Sequence, residues 1–151
     1  MRLVLGCGNP DRGDDAAGRL VARRLHELGI EAREHSGDAL ALLDAWQGAD
    51  EVVVVDAVVT GRRPGTVSVW DALADLPRGQ SRFNLSHGFG LAEAITLGRT
   101  LGNLPRVLTL YGIEAGRFEL GAPPRKAVLL AVERVVRRIG RTQTTALARR
   151  D

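Results

Sequence analysis

Val52-Val53-Val54-Val55-Asp56 is the stretch that decides how the rest of the chain is read. An unbroken run of β-branched apolar residues fits a strand covered by helices on both faces, as in a parallel sheet. The run ends in Asp56, which is expected at the carboxyl end of that strand. Upstream, Leu3-Val4-Leu5 is a shorter run of the same kind, closed by the tight loop Gly6-Cys7-Gly8-Asn9-Pro10. Asp14 and Asp15 then open a helix. Ala17, Leu20, Val21, Leu25 and Leu28 recur in it at helical spacing, and Gly29 closes it. Ile30 to His35 is a weaker strand, and Asp38 caps a helix running to about Gln47.

Downstream of the central run, Thr66-Val67-Ser68-Val69-Trp70 alternates polar and apolar, which suits an edge strand with one solvated face. The connection to it is shorter than the dozen or so residues of a parallel crossover, so this strand is expected to run antiparallel. Asp71 to Asn84 reads as a polar loop. His87-Gly88 leads into a helix with Leu91, Ala94, Ile95 and Leu101 on its inner face, and Val107 to Ile113 is another central strand. Pro123-Pro124 opens the last helix, where Val128, Val132, Val135, Val136 and Ile139 keep register. Proline is tolerated there because a first-turn N–H has no intrahelical partner. Strands alternating with helices give an α/β fold: a three-layer α/β/α sandwich around about five strands, mostly parallel, with one antiparallel edge strand. Residues 1–140 are expected to form the domain. Residues 141–151 lack periodicity and are expected to be a disordered basic tail.

The bulk numbers bound the function. At 151 residues the chain is the size of one domain. Its 44% apolar content excludes a disordered class, and its 4% aromatic content leaves little to stack on single-stranded nucleic acid, so no nucleic-acid partner is expected. The formal charge of +3 comes largely from the stretch after Glu133. This is a solvated helix surface or, on a functional reading, a contact for an acidic partner. The single cysteine, Cys7, excludes an intramolecular disulfide framework. No run approaches the roughly 20 apolar residues of a membrane helix, and the N-terminal run is too short for a signal peptide. A cytoplasmic protein is expected, with a monomer as the default state.

In doubly wound sheets, ligands sit outside the carboxyl ends of the strands. Asp15, Asp56 and His87 fall there, and two carboxylates with an imidazole suit a divalent transition metal. Each also has a plainer reading: Asp14 or Asp15 as a complement to a helix N-terminus, Asp56 as a turn cap, His87 as a structural histidine. Gly6-x-Gly8-Asn9 places permissive backbone where a substrate chain can come close. A dinucleotide loop would need a third glycine where Asp11 stands, and paired aspartates would repel a pyrophosphate, so no nucleotide is expected.

Four segments in order now point to one family. Gly6-Cys7-Gly8-Asn9, followed by Asp14-Asp15-Ala16-Ala17-Gly18, resembles the opening signature of the nickel–iron hydrogenase maturation proteases. Val55-Asp56-Ala57, Ser86-His87-Gly88 and Gly112-Ile113-Glu114 resemble that family's later motifs. The resemblance implies a hydrolase that acts once, removing a C-terminal peptide from the hydrogenase large-subunit precursor after nickel insertion. It implies that Asp15, Asp56 and His87 are the catalytic, metal-recognising residues, that Gly6, Gly8 and Asn9 form the substrate loop, and that the nickel comes with the precursor. The chain departs from the family pattern at Pro10-Asp11-Arg12 and at Ala115-Gly116-Arg117, which bears on the identity of the substrate. The attacking group stays open: Cys7 is poorly placed between glycines, and Ser86 stands beside His87. Two other readings compete. Gly6-x-Gly8-Asn9-Pro10 also resembles the start of peptidyl-tRNA hydrolase, but the histidine that enzyme needs next is replaced by Asp14-Asp15-Ala16. A non-proteolytic, metal-recognising assembly factor would use the same three side chains.

Overall fold

A computed structural model describes residues 2–76 and 90–150, with side chains described as far as residue 142. The strands are β1 (Arg2–Cys7), β2 (Ala32–His35), β3 (Glu51–Val58), β4 (Val67–Asp71) and β5 (Val107–Glu114). The helices are α1 (Ala17–Glu27), α2 (Ala39–Trp46), α3 (Gly90–Leu101) and α4 (Lys126–Arg150), with a 3-10 turn at Gly13–Ala16 ahead of α1. The five strands are ordered β2-β1-β3-β5-β4. All neighbours are parallel except β4, which pairs antiparallel with β5, Val67 opposite Ile113. The α/β/α sandwich and the antiparallel edge are therefore as the sequence indicates.

The strand pleat divides the core into two. Val4, Val53, Val55, Tyr111 and Ile113 meet α1 and α4. Leu3, Leu5, Cys7, Val52 and Val54 meet α2 and α3 on the opposite face. Each fully buried valine or leucine stabilises the fold by about 1.5–3 kcal/mol relative to an exposed one, which explains why the apolar runs take the sheet centre. The sheet also admits α1 very closely. A Cβ on Gly18 would overlap the carbonyl oxygens of Cys7 and Val55, so only glycine lets the helix cross the ends of both strands.

Several boundaries differ from the sequence reading. β3 does not stop at Asp56; Ala57 and Val58 continue the ladder opposite Ile113 and Glu114. Leu28, expected in register with α1, and Leu101, expected on the inner face of α3, are 58% and 69% exposed; the first lies one residue beyond its helix and the second is the last residue of its own. The last helix begins after the prolines, at Lys126, and its backbone stays helical through Arg150 where a disordered tail was expected. The helix runs through Gly140, beyond which no Gly or Pro interrupts it, and Arg2 Nη2 donates to Thr142 Oγ1 at 2.8 Å, tying the extension to β1. Of the expected loop Asp71–Asn84, only the turn up to residue 76 lies within the described residues, and His87-Gly88 lies outside them. Among the described residues no helix is long and apolar enough to cross a membrane.

Candidate active site

The loop after β1 is built by its own polar groups. Asn9 Oδ1 accepts the Asp11 N–H at 2.9 Å, an Asx turn, while the Asn9 N–H donates to Asp15 Oδ2 at 3.0 Å. Gly8 has a φ of +145°, and a Cβ there would strike the Asp15 carbonyl. The Gly-x-Gly-Asn spacing thus lets the loop fold back onto the turn that carries Asp15. Asp15 is 1% exposed.

Asp14 points the other way. It is fully buried and accepts the N–H groups of Gly116 and Arg117 on Oδ2, both at 2.9 Å, and that of Arg125 on Oδ1 at 2.7 Å. The Arg125 guanidinium adds a longer contact at 3.8 Å. Asp14 therefore fastens the loop to the segment between β5 and α4. The ambiguity between the two aspartates resolves by direction: Asp14 holds structure, and Asp15 lies against the glycine loop.

Asp56 is half-buried on β3, with Oδ1 accepting the Ala57 N–H at 2.8 Å. The β1–β3 register pairs Gly6 with Val55, so the next step places Cys7 beside Asp56, both on the α2/α3 face. Cys7 registers both carboxylates. Burial is the main cause that pushes its thiol well above the ordinary value, Asp56 is the next, Arg19 opposes the rise, and Asp15 contributes a smaller increase. A buried thiol held protonated is a poor nucleophile. Asp15 and Asp56 thus flank the same strand end from the helix side and the sheet side. The third expected member, His87, and its neighbour Ser86 lie outside the described residues; among the described residues no further His, Cys, Asp or Glu joins the two aspartates in a metal-holding group. The helix that follows starts nearby: a Cβ on Gly90 would collide with the Gly37 carbonyl, and one on Gly37 would meet Cys7 Cβ at 3.6 Å.

Two supporting side chains were given no role by the sequence reading, one of them, Glu114, although it ends the Gly112-Ile113-Glu114 motif. Arg19 Nε donates to the Gly8 carbonyl at 2.6 Å, bracing the loop from the first turn of α1. A cation in a first turn opposes the helix dipole, and that unfavourable placement was the available signal. Glu114 is 2% exposed, and its carboxylate accepts the Thr60 N–H at 2.7 Å and the Thr60 hydroxyl, binding the end of β5 to the loop after β3.

Known proteins resemble this chain in sequence and fold. Residues 37–142 match the family described as "HycI: Hydrogenase maturation protease". The hydrogenase 2 maturation protease of Escherichia coli is 26% identical, covering 97% of this chain and 95% of its own. A hydrogenase expression/formation protein of Rhizobium leguminosarum, HupD, is 30% identical over 89% of this chain and 72% of its own. The chain spans 66% of the length of the related HupM of Azotobacter chroococcum, at 30% identity. Among solved structures, the E. coli endopeptidase HybD superposes with a TM-score of 0.78 at 22% identity, covering 97% of this chain and 93% of that one. The maturation protease HycI of Thermococcus kodakarensis gives 0.71 at 28% identity over 92% and 89% of the two chains. With a family model matching residues 37–142 and a relative 30% identical over 89% of its length, this chain belongs to the hydrogenase maturation protease family.

Proposed function

We propose that the chain is the endopeptidase that removes the C-terminal peptide of a nickel–iron hydrogenase large-subunit precursor after nickel insertion, with Asp15, Asp56 and His87 meeting the nickel the precursor carries. The observation that carries this reading is that Asp15 accepts the N–H of Asn9 in the loop after β1, while Asp56 stands one register step beyond the Gly6–Val55 pair at the end of the same strand. His87 precedes by three residues the Gly90 backbone packed on Gly37 beside that strand end. Carboxylate oxygens and an imidazole nitrogen are ordinary ligands for nickel, and a set of only three leaves positions open for substrate atoms. A cation beside the scissile bond polarises the carbonyl or acidifies a water. The residues of this chain fix where that cation stands: Asp15 through the Asn9 N–H, Asp56 through the rigid β3–β5 ladder.

Incubation of the purified protein with nickel-loaded precursor tests the reading. A shortened large subunit is the expected product. A stable uncleaved complex identifies an assembly factor instead, and no interaction removes both. Asp15→Asn, Asp56→Asn and His87→Ala are each expected to abolish processing while circular dichroism still reports a folded domain. Processing at the normal rate by all three variants overturns the site.

A further inference from the structure

Several arginines on this surface pair with carboxylates: Arg23 with Glu34 at 3.0 Å, Arg24 with Glu133 at 2.9 Å, Arg33 with Glu31 at 3.4 Å. Another group is gathered around a groove. Between α4 and the β4 edge lies an open groove of about 960 Å³ whose walls carry Arg63, Arg134, Arg137, Arg138 and Arg141 and not one acidic residue. Two of them make neutral contacts. Arg134 Nη2 donates to the Gly65 carbonyl at 2.6 Å, and the Arg138 guanidinium sits 5.7 Å from the centre of the Tyr111 ring. The rim is rigid, because the Gly65 N–H donates to the Glu114 carbonyl at 2.8 Å and the Glu114 N–H to the Thr66 carbonyl at 2.9 Å. The lining is partly apolar: Val67 contributes, and Leu130 is 58% exposed.

The edge itself can pair. The Thr66 carbonyl accepts the Glu114 N–H of β5 and the Ala72 N–H donates to the Leu108 carbonyl, which fixes the inward-bonding positions of β4. By alternation, the backbone N–H and C=O of Val67 and Val69 project away from β5, where no strand pairs among the described residues. We infer that this groove docks an extended acidic segment of a protein partner, laid along β4 with its carboxylates against the arginines and its apolar residues on Val67 and Leu130. Main-chain hydrogen bonds to a sheet edge with alternating side-chain contacts are a recurring mode of peptide capture. A single-stranded nucleic acid is the weaker match: it needs exposed aromatic faces, and the one ring here, Tyr111, is buried beneath Arg138. Val67 lies opposite Ile113 at the carboxyl end of β5, so the groove opens at the same end of the sheet as Asp15 and Asp56. Only the partner's identity, the precursor, rests on the reading given under Proposed function.

The test uses the full chain and a fluorescein-labelled peptide of alternating glutamate and leucine, read by fluorescence anisotropy. Binding is expected, weakening as salt rises from about 50 to about 300 mM. Arg63→Gln/Arg137→Gln is expected to weaken it about tenfold, with thermal unfolding unchanged, while Asp15→Asn/Asp56→Asn binds as the native chain does. Equal binding by the arginine variant, equal binding of a glutamine–leucine peptide, or tighter binding of a single-stranded oligonucleotide each overturns the proposal. With precursor as substrate, the same arginine variant is expected to raise KM more than it lowers kcat. Peptide binding without precursor cleavage by the native chain supports the groove and defeats the endopeptidase reading, so the two failures are distinguishable.

Discussion

His35 ends β2 beside Cys7, and its Nδ1 accepts the Gly37 N–H at 2.8 Å, so that nitrogen must carry no proton. Burial lowers its pKa below the ordinary value; a backbone hydrogen bond at Ala41 opposes this, Arg19 lowers it further, and Asp38 pulls it back. The unfolded chain then binds a proton more readily than the folded one. His35 therefore costs no stability above its unfolded pKa of about 6.5, and stability falls as pH drops below that value toward the lower native pKa. Guanidinium midpoints are expected to decline between about pH 7.5 and about pH 5.5, and His35→Gln to flatten that part of the profile. At this scale the sequence told only part of the story. It placed Asp15 and Asp56 as a candidate pair but could not distinguish Asp14 from Asp15, because the amides that claim Asp14 lie 102 to 111 residues away. Arg19 left only the faint signal of a cation in a first turn, because its partner is a backbone carbonyl, which leaves no mark of its own in the sequence.

Elements follow the apolar pattern where the pattern is dense. The valine run forced β3 into the sheet centre, and the alternation from Thr66 to Trp70 identified the antiparallel edge, because the period of a strand is set by which faces are covered. Ends were less legible. Ala57 and Val58 extend β3 because β5 offers them partners, and neither residue declares that by itself. Gly18 is the clearest case of an element fixed by what a residue lacks. Its helix crosses the ends of β1 and β3 with no room for a methyl group. Gly18→Ala is expected to push α1 off the sheet at a cost of about 1–3 kcal/mol, although alanine is the better helix former. Chemical unfolding measures the cost, and a midpoint raised by the substitution would show that the helix propensity wins.

Over the whole molecule, the two ends of the domain are sewn together around Asp14. The Gly13 N–H donates to the Ala122 carbonyl at 3.0 Å, the Asp14 N–H to Arg117 at 2.8 Å and the Gly121 N–H to Asp11 at 2.7 Å, beside the three amides on the Asp14 carboxylate. Removing that carboxylate leaves several buried donors without an acceptor. Asp14→Ala is therefore expected to cost on the order of 3 kcal/mol or more, visible as a lowered Tm, whereas Asp15→Asn, which keeps an oxygen for the Asn9 N–H, costs less. The order of synthesis gives this seam a further meaning. A ribosome delivers the glycine loop early and residues 116–125 late, so a nascent chain holds Asp15 on a strand end that nothing yet clamps. The seam around the site can close only after residues 116–125 have been added to the growing chain.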